Sequence, residues 1–424
     1  MNRSIVRLGA LLSAVVLAGC EGDDARVTGP AGQDAFARYV AIGTSVSMGT
    51  MGDGVLYSTQ QGAWVNQLAA AADVRFTQPL VSGAPTGSAL FSGGGCNAPL
   101  AAPLQFARRL GGRPAFLADS SCSPLLPGIA LPANDVAIDG ARAYHALYFT
   151  PESALVNTVG RARGKLYTRV LAPRQTQVTA MLAQDPTFVS VELGANEILG
   201  AQSGLVVAGA SVVSLEAFRP VYDAIIDSVK KTGARAVLVG IGIPDIAAFP
   251  AVRRASELAA DSVAFLRYNV ALAPGCGGAD RDNLVQLSFR VLPVIAEAQA
   301  RALLGQRVVL SCADVPGSAD GVLTPTEAAQ VNALSVQLDA HIRGAAEANG
   351  YAFFQLGSLY NGAKQGIAFS IERLLASDEP YGPLVSLDGV HPSRAGHTVL
   401  ARAAADAINA RYGFGLRIGE SAAR

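Results

Sequence analysis

The chain has 424 residues, of which 50% are hydrophobic and 16% charged. At roughly 100–200 residues per domain, this length allows two or three domains, or one large α/β domain with insertions; the apolar content excludes a disordered chain. The 33 basic and 33 acidic side chains cancel, which removes any electrostatic case for binding nucleic acid. Only four histidines are present, so a base of that type must be His145, His341, His391 or His397.

The first residues read as a processing signal. Arg3 and Arg7 precede an apolar run, Leu8–Leu17, too short to span a bilayer at ~20 residues. It ends in Leu17-Ala18-Gly19-Cys20, which resembles the lipobox of bacterial lipoproteins. That resemblance implies cleavage after residue 19 and lipidation of Cys20. Glu21 stands where an aspartate would resemble an inner-membrane retention signal, so the expected location is the outer membrane of a Gram-negative envelope. Residues 20–36 contain Gly, Asp, Thr and Pro without apolar periodicity and read as a tether. The folded domain is expected over residues 37–414, with residues 415–424 as a tail.

Beyond the tether, strands and helices alternate. Tyr39–Ile42 is a short apolar strand, and Ala63–Ala72 is helical in composition. Residues 76–132 are rich in Gly, Pro and Ser and form a first insertion. Asp135–Ile138 is a second strand, followed by a helix from Ala141. A helix near Arg174–Ala183 leads into the strand Thr187–Leu193. Leu215–Thr232 is an amphipathic helix stopped by Gly233, and Arg235–Gly240 is the fourth strand. Residues 244–320 form a second insertion. A long helix over Pro325–Ala348 begins with Thr324 as cap, proline in the first turn and Glu327 three residues on. Tyr351–Leu356 is the fifth strand and Arg394–Tyr412 the last helix. This order predicts an α/β fold with a five-stranded parallel sheet covered on both faces.

Four cysteines remain after Cys20: Cys96, Cys122, Cys276 and Cys312. In an exported chain an even count predicts two disulfides. Three connectivities are possible, and sequence proximity favours Cys96–Cys122 with Cys276–Cys312. The spacings do not suit a zinc ribbon.

Ligands of open α/β sheets bind at the carboxyl ends of the strands. There this chain carries Gly43-Thr44-Ser45-Val46-Ser47, Asp139-Gly140-Ala141 and Gly194-Ala195-Asn196-Glu197; Asp388-Gly389-Val390-His391-Pro392-Ser393 stands just before the last helix. The four pieces YVAIGTSVSMG, NDVAIDGARA, VELGANE and LDGVHPSRAGH, in this order, resemble the four blocks of the SGNH (GDSL) hydrolases. The likeness covers about residues 38–412, the two insertions matching least. It implies a three-layer α/β/α, flavodoxin-like fold and a serine esterase or lipase. Thr44 and Glu197 depart from the pattern, each replacing an aspartate.

The chemistry of the residues agrees with that assignment. Ser45 lies where a strand turns into a helix, so it is either a helix cap or a nucleophile with its hydroxyl in a cleft. An imidazole ordinarily titrates near neutrality, which suits His391 to take the serine proton. Asp388, three residues earlier across Gly389, can orient the imidazole. The Ser45 N–H, the Gly140 N–H and the Asn196 amide are candidate oxyanion donors. Ser47 is the competing nucleophile. His145, His341 and His397 read as structural, and the basic run Arg161, Arg163, Lys165 and Arg169 as a solvated face. A Gly-x-Ser-x-Gly elbow, a Walker A loop and a His-Glu-x-x-His motif are all missing. Gly240-Ile241-Gly242 runs into Ile243-Pro244 rather than a dinucleotide fingerprint. The expectation is a monomer that needs no metal or organic cofactor and acts on a small-molecule, lipid or glycan ester. The alternatives are a polysaccharide or peptidoglycan O-acetyl esterase, and a catalytically silent surface lipoprotein with a binding role.

If Cys20 carries the anchor, native protein will partition with membranes and Cys20→Ser will release or mislocalise it. Fractionation with mass analysis of the N-terminus checks this; wholly soluble native protein with an unmodified N-terminal residue would contradict it.

Overall fold

The computed structural model describes residues 30–52, 54–82, 96, 122–157, 161–363 and 367–419. The signal segment, Cys20 and most of the first insertion lie outside the described residues. Four short strands form the central sheet: β1 (Tyr39–Ile42), β2 (Phe188–Glu192), β3 (Arg235–Gly240) and β4 (Ala352–Gln355). Their order is β1-β2-β3-β4 and every pairing is parallel. All residues of β1 and β2 are buried, as expected of strands covered on both faces.

Two groups of helices cover the sheet. Those needed here are α1 (Pro30–Phe36), α2 (Ser45–Met48), α3 (Trp64–Ala71), α4 (Ala143–Tyr148), α5 (Gln177–Leu182), α6 (Leu215–Lys231), α7 (Pro325–Asn349) and α8 (Arg394–Tyr412). α3 packs on α8, and α8 packs on β4. On the opposite face α4, α5, α6 and α7 pack in sequence, with α5 against β1 and α7 against β3. The layering is that of an α/β/α sandwich.

The sequence reads five strands and the sheet has four. Asn134–Ile138 does run parallel along the free edge of β1. The Ala41 N–H donates to the Asn134 carbonyl at 2.9 Å, the Val136 N–H to Ala41 at 2.9 Å and the Ile138 N–H to Gly43 at 3.1 Å. The Gly43 N–H, which would extend this ladder, donates instead to Gln177 Oε1 at 3.1 Å. These three bonds leave Asn134–Ile138 with one paired position, Ala41 opposite Asp135, rather than a full strand.

The ends of the domain also differ from expectation. The final residues of the tether form α1, whose Phe36 is fully buried and stacks on Phe188 with ring centroids 4.0 Å apart. At the other end Leu416 is buried, and its backbone N–H and carbonyl both bond the Asn409 side chain at 2.7 Å. Both segments belong to the packed body, because each covers an apolar side chain.

Local signals explain the helix bounds. Thr324 Oγ1 accepts from the Glu327 N–H at 3.2 Å while Glu327 Oε2 accepts from the Thr324 N–H at 2.9 Å, and Pro325 occupies the first turn of α7. Ser393 caps α8 through the Gly396 N–H at 3.1 Å.

The second insertion, with Val322–Leu323 just beyond it, builds two small sheets. Val252–Arg254, Leu284–Gln286 and Val322–Leu323 form an antiparallel sheet, and Val270–Leu272 pairs in parallel with Val308–Leu310. The Cys276–Cys312 disulfide joins the segments that follow these last two strands, and Cys96–Cys122 closes the first insertion.

Cys276 and Cys312 are separated by 36 positions and fully buried. Replacing both by serine should lower stability by about 4 kcal/mol, the loop-closure entropy returned to the unfolded chain. Equilibrium urea denaturation under non-reducing conditions checks this; an unchanged midpoint would contradict it.

Candidate active site

Because the sheet is parallel, the segments after β1, after residue 138 and after β2 all emerge at one edge. Hydrogen bonds then stitch them together. Glu192, the last residue of β2, is fully buried. Its carboxylate accepts from the Thr44 N–H (2.9 Å), the Thr44 hydroxyl (2.8 Å), the Ser47 N–H (3.2 Å) and the Ser47 hydroxyl (3.1 Å). These donors fix both sides of Ser45, which is buried in the first position of α2. Gly43 is required here: a Cβ would lie 2.6 Å from Ser47 Oγ and 3.1 Å from Glu192 Oε2.

Ser47 is thereby committed to Glu192. Glu192 was missed as a site residue, although a carboxylate ending the otherwise apolar strand FVSVE was a visible signal. Burial pushes its carboxyl above the ordinary value, and the bonds from Thr44 and Ser47 oppose the shift.

Asn196 opens the short helix Asn196–Leu199, and its Nδ2 donates to the Ala141 carbonyl at 2.8 Å. One of its two amide hydrogens remains beyond that bond. Gly140 adopts φ +71° at the turn before α4, a conformation that glycine takes without strain. Glu197 Oε1 accepts from the Ala143 N–H at 2.7 Å, so this departure from the resembled pattern ties the third piece to the start of α4. Burial raises the Glu197 carboxyl to about 7, against the Ala143 bond and the Arg142 charge.

Asp388 and His391 are in direct contact, with Nδ1 2.5 Å from Asp388 Oδ2. Asp388 is buried and its Oδ1 accepts the N–H groups of Val390 and His391, both at 2.9 Å, and the Ser386 hydroxyl at 3.1 Å. Burial raises its carboxyl, but the His391 charge and these bonds outweigh that and hold it below the ordinary range. Burial alone lowers the His391 imidazole; the Asp388 charge and bond, with Asp139 and Glu192, bring it above its usual value. The Gly52 N–H donates to Ser386 Oγ at 3.0 Å, joining the segment after α2 to this loop.

The second insertion grips the same loop. The Ala251 N–H donates to the Gly389 carbonyl at 3.2 Å. Gly389 sits at φ +73°, and a Cβ there would meet Ala251 Cβ at 2.6 Å. The Tyr360 hydroxyl donates to the Val390 carbonyl while its ring packs on Phe249 at 4.8 Å.

The other histidines lie elsewhere. His145 Nδ1 accepts from the Arg142 N–H at 3.2 Å. His341 bonds Asp223 at 2.8 Å. His397 is fully buried, neither ring nitrogen has a hydrogen-bond partner, and burial first, then the charges of His391 and Arg394, lower it to about 3. Arg169, read as part of a solvated face, donates to the carbonyls of Ser123 and Cys122 at 2.9 and 3.3 Å. Among the described residues there is no cluster of three or more His, Cys, Asp or Glu able to hold a metal, and no helix long and apolar enough to cross a membrane.

No protein-family model matches the chain, and no curated protein matches it. Among solved structures it is similar to the extracellular lipase of Streptomyces rimosus, at 13% identity and a TM-score of 0.34, with 88% of this chain and 98% of the lipase covered. At that level the likeness carries no argument about chemistry. The functional reading rests on the site itself.

The Thr44–Glu192 contact gives a stability test. Thr44→Val removes a hydroxyl that bonds a buried carboxylate and should cost about 2 kcal/mol. Thr44→Asp puts a second carboxylate against Glu192, which raises the folded-state pKa of the pair. Its deficit relative to wild type should be smallest in acid and grow as pH rises toward neutrality. Urea titrations at several pH values check this; a pH-independent deficit would contradict it.

Proposed function

We propose that this chain is a serine-dependent carboxylic ester hydrolase of the SGNH type. The observation that carries the reading is the 2.5 Å contact between His391 Nδ1 and the buried Asp388, in a loop bonded to the segment that follows Ser45. With Nδ1 engaged, Nε2 is the ring nitrogen free to act as base. Asp388 acts through His391: it fixes the tautomer and stabilises the imidazolium.

The reaction runs in two halves. Ser45 Oγ bonds to the ester carbonyl carbon as its proton passes to His391 Nε2, and the carbonyl electron pair moves onto oxygen. The Ser45 N–H, the Gly140 N–H and the remaining Asn196 amide hydrogen stabilise that oxyanion. Collapse breaks the bond to the alcohol, which leaves with the proton from His391, and an acyl-serine remains. Water then repeats the sequence and releases the acid. Membrane attachment through Cys20 at the cell envelope belongs to the same proposal and rests on the sequence alone.

A fluorophosphonate probe should label Ser45, and Ser45→Ala should abolish labelling and hydrolysis of a short p-nitrophenyl ester. His391→Ala should remove nearly all turnover. Asn196→Ala should lower kcat roughly 100- to 1,000-fold, the usual effect of one lost oxyanion donor. His391 must be neutral to accept a proton, and its raised pKa moves the acid limb of the rate profile above the 6.5 of an ordinary histidine. Folded wild-type protein that neither labels nor turns over any short ester would overturn the catalytic reading and favour a silent binding protein. Label on Ser47 would overturn the site assignment.

A further inference from the structure

Behind the proposed oxyanion segments lies a cavity of about 300 Å³, between the start of α4, Glu197 and the first turns of α6. None of Ser45, Gly140, Asn196, Asp388 or His391 lines it, so it is separate from the site described above. Its walls include Val213, Phe218 and Val221. Ala217 and Tyr144 also line it and are solvent-exposed, which gives it a mouth. Arg142, His145 and Glu197 supply polar groups to its lining, and Glu197 is 1% exposed. Its Oε1 is occupied by the Ala143 N–H at 2.7 Å, while Oε2 is buried without any hydrogen-bond partner.

A buried carboxylate oxygen without a donor is costly, and native structures supply a partner for such groups. The neighbouring cation does not supply it. The Arg142 guanidinium donates to the carbonyls of Asn196, Ala210 and Ser211 at 3.2, 3.1 and 3.3 Å. In the ionised form of Glu197, the partner that Oε2 lacks is a donor that enters from the mouth, carried on a body that suits apolar and aromatic walls.

We propose that this cavity is a second ligand site, which takes a small primary ammonium compound with a compact apolar body, its N–H groups donating to Glu197 Oε2. The volume sits at the lower end of the ~300–1,000 Å³ usual for small-molecule sites, which restricts the occupant to a single ring or a short alkyl chain. Charge-assisted bonding to the carboxylate and the rings of Tyr144 and Phe218 favour a cation, against the charge of Arg142 in the same lining, whose donors are turned to backbone carbonyls. The site also bears on the oxyanion segments, because Arg142 and Glu197 directly follow Ala141 and Asn196.

The test uses benzylammonium as the probe and the Ser45→Ala protein, read by calorimetry and ligand-observed NMR, so that it does not depend on ester hydrolysis. Benzylammonium should bind at one site, with benzyl alcohol and toluene at least ~10-fold weaker. Glu197→Gln keeps an acceptor for the Ala143 N–H but presents an amide donor to the cavity, and should weaken binding at least ~10-fold. Ala217→Trp, at an exposed position of α6, should block the mouth and abolish binding in a folded protein. No binding of benzylammonium, binding unaffected by both substitutions, or benzyl alcohol binding as tightly would overturn the proposal.

Discussion

The carboxylate of Glu192 holds the arrangement together. It ends β2 in a fully buried position and receives four donors from Thr44 and Ser47. A buried charge left without partners would be expelled or neutralised. Here the donors come from the turn that carries Ser45, so satisfying the charge and shaping the turn are one event. The same contacts remove Ser47 from competition and leave Ser45 as the serine of that turn whose hydroxyl is not drawn to the carboxylate. Gly43 follows from the same constraint, because the approach of Ser47 and Glu192 leaves no room for a Cβ.

Both departures from the resembled pattern acquire physical roles. An aspartate at position 44 would face Glu192 at hydrogen-bond distance, so a hydroxyl is the compatible group. Glu197 reaches the Ala143 N–H and draws the Asn196 segment to the start of α4. The same residue lines the separate cavity. A substitution that reads as lost chemistry in a motif is, in the folded chain, a change of hydrogen-bonding partner.

The second insertion belongs to the same economy of contacts. Ala251 and Phe249 lie at its start, and they close on Gly389 and on the Tyr360 ring that supports Val390. The Asp388–His391 loop is thus held from three directions: by its own backbone N–H groups on Asp388, by the segment after Ser45 through Ser386, and by the insertion. Such support favours one orientation of the imidazole, as the proposed general-base role requires.

The sequence by itself determined the strand–helix alternation, the ends of α7 and α8, the cysteine pairs by proximity and the short-range relation of Asp388 to His391. These depend on local signals: apolar runs, a Thr-Pro-x-Glu start, a three-residue spacing. It left the sheet one strand too wide, because whether Asn134–Ile138 extends the ladder depends on Gln177 capturing the Gly43 N–H across more than a hundred residues. The packing of Phe36 on Phe188 and of Leu416 against Asn409 was hidden for the same reason. Only the tertiary structure decided that Glu192 fixes the serine turn, that an insertion grips the histidine loop and that Glu197 faces a cavity. Each is a contact between segments far apart in the chain, and periodicity carries no record of which distant partner a buried polar group will find.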